Sequence, residues 1–468
     1  MNERTVTATE ARTPEFRDAE GVVTEPFLAA VQEAIGAGDR ARLRELAGDV
    51  HEADLGALIA ALATELRPQL IELLGEDFDF TALTEVDESV REEMLDALPA
   101  EAVAKGVRDL DSDDAVYLLQ DLSPQDQREV LRHVPTPERL PLERSLRYPE
   151  ESAGRLMQTE FIAVPPEWKV GDVIDHLRET RDLPDSFYEV YVVEPDGRLA
   201  GAVRLDRLLR SMRPVRIADI LVEDLQIVRA HDDQENAARR FERYNLVSAP
   251  VVDEGDRLVG VLTADDVLDV IEEEAEEDLR ALAGVRSGGD LSDSVIDTAR
   301  LRLPWLLLNL ISSFLAAGVI AWFEATIAAV VAVAILMPVN AALGGNAGTQ
   351  ALAVAVRALA TQELNRSNMM RVILREALVG VVNGIVLAVL AGAAAGFAFG
   401  SVTIGLVLSC AMVVTVIFGT TVGIAVPILV DRLKVDPAIA SGVFVLTIAD
   451  VFGFFIFLVF ATVAFGIG

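Results

Sequence analysis

The sequence predicts an α-helical membrane protein with five transmembrane helices, preceded by a cytosolic half that joins an all-α helical-hairpin domain to a tandem α/β pair. Three observations carry that prediction. The 468 residues are 51% apolar yet bear a net charge of -34. From Leu303 onward six basic residues balance six acidic ones, so residues 1–302, with 34 Lys and Arg against 68 Asp and Glu, hold the whole excess. Inside that acidic half, a ten-residue segment recurs at an offset of 59. Water is the solvent of the first half and lipid that of the second.

The same arithmetic excludes several functions. A chain this acidic lacks the Lys and Arg needed to neutralise phosphates, so nucleic acid is not a partner. The single cysteine, Cys410, allows neither an intrachain disulfide framework nor a CxxC zinc or redox site. Residues 1–18 have no basic-then-apolar layout, so no cleavable secretory signal is expected. GxxxxGK[ST] is absent, and the chain is not expected to be an enzyme.

Taken in order, residues 1–25 read as a flexible N-terminus and 26–150 as an acidic helical domain, with apolar positions at helical spacing from Ala53 and again from Val103 to Leu131. The repeat follows: Val192–Gly201 returns as Val251–Gly260, each copy reading strand, Gly/Asp turn, strand and short helix. Amphipathic helical stretches near 170–180 and 233–244 precede the two copies, and the boundaries fall at 151–217 and 218–271. This layout resembles a tandem pair of CBS domains, whose two sheets pack into one unit. In the second copy, Thr263 and Asp266 match the family's nucleotide-contacting pattern, which implies ATP or another adenine nucleotide; the first copy has Arg204 and Arg207 instead. A single nucleotide site and a purely structural pair are both open.

Residues 272–302 are expected to form an acidic connecting helix. Nine carboxylates crowd Asp265–Asp278, while Val267, Ile271, Ala275 and Leu279 recur every four residues as one apolar stripe. Such density repels itself, and a divalent cation relieves the repulsion by bridging carboxylates. Two blander readings compete. One is a solvated helix face; the other is the general surface acidity of salt-loving proteins, since only three of the 40 basic residues are lysine.

The rest is the membrane half. A spanning helix needs roughly 20 apolar residues, and spans are expected near 303–323, 326–356, 373–399, 402–430 and 437–466. The loops after spans two and four carry Arg357, Arg366, Arg371, Arg375, Arg432 and Lys434, whereas the loops around Glu324 and Gly400 carry no Lys or Arg. Positive charge stays inside, so the N-terminus is expected in the cytoplasm and the C-terminus outside a plasma membrane.

Two features of these spans point to ions. Pro338 and the run Gly344, Gly345, Asn346, Ala347, Gly348 are expected to interrupt the second span and expose backbone carbonyls, although tight packing through small residues accounts for glycines alone. Asp450 lies mid-span, more than ten residues from either end of the last apolar stretch, with no Lys or Arg in the apolar stretches 303–356, 377–430 and 437–468 to neutralise it. An ionised carboxylate there costs several kcal/mol and ordinarily faces water, an ion or a partner; a protonated, hydrogen-bonded Asp is the competing reading. Two other motifs fail on spacing. His51 and Glu52 begin like HExxH but meet Leu55, and Asp109–Asp114 begins like an EF-hand loop but has Asp114 where glycine is needed.

An acidic helical domain, paired CBS domains, an acidic connecting helix and five spans, in that order, resemble MgtE-type magnesium channels. So do Arg302–Leu306, Gly344–Gln350, Asp436–Ala440 and Asp450–Phe454. The resemblance implies a homodimer in the lipid bilayer, magnesium as the transported ion, and closure when cytosolic magnesium is high. Its pore residues map onto Asp450, Asn346, Gly345 and Gly453, and its sensing carboxylates onto Asp111, Asp114, Asp265, Asp266, Asp269, Glu272, Glu273 and Glu276. The chain departs from the family at Ala449, where threonine is frequent, and at Asn340, in a stretch often purely apolar. A carrier exchanging divalent cations for Na+ or H+, and a nucleotide-sensing membrane receptor, are the alternatives.

Overall fold

The computed structural model describes residues 14–181, 183–184, 186–282, 295–361, 363–364, 367–434 and 437–467. The expectations for residues 1–13, for 283–294 of the connecting helix and for Asp436 fall outside those residues. The chain divides into two units, Met1–Ile271 and Glu272–Gly468.

The first unit opens with short helices: α1 Glu25–Ala37, α2 Arg40–Ala47, α3 Glu52–Ala61, α4 Arg67–Leu74, α5 Glu88–Ala97, α6 Ala100–Arg108, α7 Ser112–Gln120, α8 Pro124–His133 and α9 Thr136–Ser145. Their starts are written in the sequence. Thr24, Asp39 and Ser123 each accept a backbone N–H of the turn that follows, which satisfies a donor the helix cannot. Each helix is too short to be stable alone; all bury one face in a common core that includes Leu43, Leu58, Ile59, Leu70, Met94 and Leu118. The core also encloses an ion pair, Arg91 with Asp121.

The repeat folds as its pattern predicts. After α10 Ala153–Leu156, the first copy runs β1 Ala163–Val164, α11 Val170–Glu179, β2 Glu189–Val193, β3 Leu199–Arg204 and α12 Leu205–Arg210. The second runs β4 Val228–Arg229, α13 Gln234–Tyr244, β5 Ser248–Val252, β6 Leu258–Thr263 and α14 Ala264–Leu282. Both sheets have one parallel and one antiparallel pairing, β1-β2-β3 and β4-β5-β6. The strands on the hairpins are apolar and largely buried. The two hairpin turns join: Leu199 N donates to Asp256 O and Leu258 N to Gly197 O, while Tyr191, Ala202 and Val261 share one small core. The pair is therefore a single α/β body.

Among the described residues of the second unit, five helices are long and apolar enough to cross a membrane: α15 Val295–Trp322, α17 Val331–Ala360, α18 Met369–Ala398, α19 Val402–Arg432 and α20 Pro437–Phe465, with the short α16 Glu324–Ala329 between the first two. Residues 295–302 belong to the same helix as the first span, α15. One expectation needs correcting: the second span is continuous through Pro338 and the glycine run. A proline forfeits one ladder hydrogen bond, which neighbouring helices in a bundle tolerate, and the glycines are spent on packing. A Cβ on Gly419 would stand 2.3 Å from the Gly344 carbonyl oxygen, and one on Gly423 would stand 2.3 Å from that of Gly348. Gly344 and Gly348 of α17 thus face Gly419 and Gly423 of α19 backbone to backbone, the close approach that small residues four apart permit in lipid.

Candidate ion pathway and acidic cluster

Two constellations emerge, one in each unit. In the membrane unit, Asp450 lies on α20, which packs on α17 and α19. A Cβ placed on Gly345 would lie 3.6 Å from Asp450 Oδ1, so the carboxylate rests on the bare backbone of α17. Of the three glycines in the run, two serve packing and the third leaves room for a carboxylate. Asn346 follows on the exposed side of α17. Gly453, one turn beyond Asp450, is buried, and its carbonyl accepts a 2.9 Å hydrogen bond from Asn340 Nδ2. Of the four predicted pore residues, Asp450 and Gly345 are brought together, Asn346 borders them, and Gly453 points its carbonyl into the bundle.

The soluble unit gathers the carboxylates. Glu160 Oε2 accepts from both the backbone N–H (3.2 Å) and the hydroxyl (2.6 Å) of Ser112, pinning the first turn of α7. Asp113 and Asp114 follow directly. They share a field with Asp265, Asp266 and Asp269 in the opening turns of α14, where the chain leaves β6 at Thr263. Burial, then Asp111 and Asp265, push Asp114 up to about 6. Burial, with Asp265, Asp114 and Asp269, raises Asp266 to about 7 against the lowering bond from the Thr263 hydroxyl. Asp113 is driven well above the usual carboxylate range by burial and by Asp266 and Asp114. Glu85, raised by burial and then by Asp269, borders the group. Each carboxylate makes its neighbours harder to ionise, and a cation would reverse that.

Asp113 and Glu85 are additions to the predicted set. Asp113 stood in the same acidic run and was readable by its helical position, one residue before Asp114; Glu85, in a loop, had no sequence signal. Further along α14, Glu272 and Glu276 are exposed, and Glu276 pairs with Arg280 at 3.0 Å. Among the described residues no three His, Cys, Asp or Glu side chains converge closely enough to grip a metal ion as they stand. At the other end of α14, Ala281 is buried with Leu352 and Val356 of α17 and Val445 of α20, and Leu282 packs beside it. Thr263 and Asp266 are bonded to each other, and in the first copy Arg204 pairs with Asp206 at 3.1 Å.

Family profiles match along the chain: the MgtE divalent cation transporter at residues 337–460, the MgtE intracellular N domain at 50–151, and the CBS domain twice, at 153–214 and 217–273. The magnesium transporter MgtE of Thermus thermophilus is 34% identical over 445 residues, which cover 93% of this chain and 97% of that protein. The chain belongs to the MgtE family. The Bacillus subtilis magnesium transporter MgtE is 29% identical over 421 residues, covering 90% of this chain and 93% of its own. A solved structure, the cytosolic domain of the Mg2+ channel MgtE in complex with ATP, is 33% identical with a TM-score of 0.48, covering 52% of this chain and 99% of that one. As an MgtE-family member the chain is a multi-pass membrane transporter of Mg2+, not an enzyme.

Proposed function

We propose that this MgtE-family chain conducts Mg2+ into the cytoplasm down its electrochemical gradient, through a homodimeric pore in which Asp450 binds the ion, and that cytosolic Mg2+ closes it by bridging the acidic cluster. The observation that carries the reading is Asp450 itself, a carboxylate laid on the bare backbone at Gly345, midway along α20, a helix whose sequence contains no Lys or Arg. Magnesium requires six oxygens at about 2.0–2.1 Å and surrenders water reluctantly. Asp450 therefore holds a largely hydrated ion through its waters, with Asn346 at the border. Continuous α17 offers no freed run of carbonyls, so the water shell and the carboxylates of two protomers do the coordinating, and the carbonyl of Gly453 drops out of the ion site. An inside-negative membrane contributes about 2.3 kcal/mol per charge per 100 mV, twice that for a divalent ion, and the basic loops support a cytoplasmic N-terminus and an outside C-terminus.

Closure rests on the cluster of Asp111, Asp113, Asp114, Asp265, Asp266 and Asp269, extended along α14 by Glu272, Glu273 and Glu276. Mutual repulsion holds these groups apart until Mg2+ bridges them. Since α14 ends against α17 and α20, its state is felt where those helices begin and end. One adenine nucleotide per protomer is the reading for Thr263 and Asp266; because Asp266 also belongs to the cluster, nucleotide and Mg2+ affinities should be linked. The deciding experiment is Mg2+ flux into proteoliposomes. Asp450→Ala should abolish flux with the dimer intact, and wild-type flux in that variant overturns the pore reading.

A further inference from the structure

Asn340 takes no part in the ion chemistry above, yet it is completely buried on α17, in a stretch that is otherwise apolar from Val331 to Leu343. Its Nδ2 donates to Gly453 O at 2.9 Å on α20 and to Thr415 Oγ1 at 3.0 Å on α19, so one amide ties three helices. A carbonyl can only accept, which fixes the orientation of the amide by chemistry. Its Oδ1 is consequently left buried with no partner. A buried, unpaired acceptor is costly, and an apolar side chain of similar shape would avoid the cost. The two donors must therefore accomplish something that packing does not.

Packing buries one face of α20, including Val445, Ala449, Phe457, Leu458 and Ala461, but apolar contacts are not directional. That helix is apolar all round apart from a few hydroxyls and Asp450, and lipid supplies no hydrophobic force to choose a face. Its hydroxyl bonds run elsewhere, from Thr447 to Ser312 of α15 and from Thr462 to Thr326 of α16. Against α17 the fixed points are Asn340 with Gly453 and, five residues further along α17, Gly345 beside Asp450. The clamp is tight: a Cβ on Gly453 would lie 3.2 Å from Ala341 Cα and 3.3 Å from Thr415 Cγ2. Each residue turns a helix by 100°, so a small rotation of α20 would carry the Asp450 carboxylate off Gly345.

We propose that Asn340 is a positioning residue for transport, its amide donors locking the rotation of α20 so that the Asp450 carboxylate is presented at Gly345. The proposal rests on the reading of Asp450 as the ion-binding group, and the test separates the two. Full-length Asn340→Leu, Asn340→Ala, Thr415→Val and Asp450→Asn are reconstituted in proteoliposomes. Flux is measured against Mg2+ concentration and against Ca2+, with assembly and melting measured in detergent. The Asn340 variants should assemble and melt within a few degrees of the parent, since the substitution that removes the two donors also removes the buried, unpaired Oδ1. Their half-saturating Mg2+ should nonetheless rise by about tenfold, the scale of a misplaced binding group, and the Mg2+ to Ca2+ flux ratio should change. Thr415→Val keeps the bond to Gly453 and should shift both less. Wild-type flux in Asp450→Asn defeats the pore reading and this proposal with it. With Asp450→Asn inactive, unchanged half-saturation and unchanged ion ratio in both Asn340 variants reduce Asn340 to packing and overturn the proposal alone. Failure of both to assemble makes it a folding residue and overturns it equally.

Discussion

Carboxylates that repel one another store a pH dependence whose sign follows from the direction of their shifts. Asp114 is raised to about 6 and Asp266 to about 7, whereas in an unfolded chain both would titrate near 3.9. The folded state therefore holds protons that the unfolded state releases. The stabilisation is complete below about 3.9 and is lost as pH rises through the folded values. In Mg2+-free solution, melting of the soluble half should accordingly fall between pH 5 and pH 8, by roughly 2–4 °C for each kcal/mol lost. Asp114→Asn with Asp266→Asn should flatten the profile, and so should millimolar Mg2+ on the parent; a profile equally steep in the double variant excludes these two residues as its source. How much of this cluster could be read beforehand varies by residue. Asp265, Asp266 and Asp269 were legible because a carboxylate-dense helix begins where a strand ends. Asp113 was readable only as one more acid in the run beside Asp114, and which of them is turned inward depends on the pin from Glu160 to Ser112. Glu85 arrives through tertiary packing, which no local pattern records.

The helix α17 shows where element-level reading succeeds and where it misleads. Its glycines and proline suggested a break because each weakens an isolated helix, yet α17 is continuous, and in a bundle its glycines let it approach its neighbours. The pairing of Gly344 and Gly348 with Gly419 and Gly423 was visible as two sets of small residues four apart; which set met which was not, because in lipid the partner face is chosen by contact and not by hydropathy. The geometry gives each glycine a distinct expectation. Gly419→Ala drives a methyl group into the Gly344 carbonyl and should destabilise the bundle by about 1–3 kcal/mol. Gly318→Ala on α15 meets nothing within 4 Å and should be neutral or slightly stabilising by helix propensity. Gly345→Ala meets Asp450 Oδ1 only at ordinary contact distance, 3.6 Å; it should fold normally and yet lower Mg2+ flux, because the methyl shields the carboxylate from the ion's waters. Melting and flux measured on the three variants separate packing glycines from the one beside the carboxylate, and normal flux in Gly345→Ala would remove that glycine from the pathway.

At the scale of the whole molecule, the order of domains, the repeat and five of the five spans were legible because each is set by composition or periodicity over tens of residues. What sequence cannot give is the long-range state of α14, the helix that starts in the carboxylate cluster and ends among Leu352, Val356 and Val445. Neighbouring charges a few ångströms apart repel by roughly 1–4 kcal/mol per pair, depending on local dielectric, so several pairs outweigh the few kcal/mol that separate two conformations of such a helix. On the gating proposed above, bridging them with Mg2+ would reverse the balance, since an ion shifts the equilibrium by its differential affinity for the two states. General acidity of the kind seen in salt-adapted surfaces makes a different forecast, in which any salt screens the repulsion and Mg2+ has no privilege. The two forecasts part at fixed high potassium. There, Mg2+ should still protect the 265–282 region from proteolysis and reduce ion flux, and neutralising Asp269, Glu272, Glu273 and Glu276 together should remove both effects while leaving flux through the open state unchanged. A quadruple variant that closes with the parental Mg2+ dependence would show that this stretch of α14 is not the sensor and would return the role to Asp113, Asp114 and Asp266 alone.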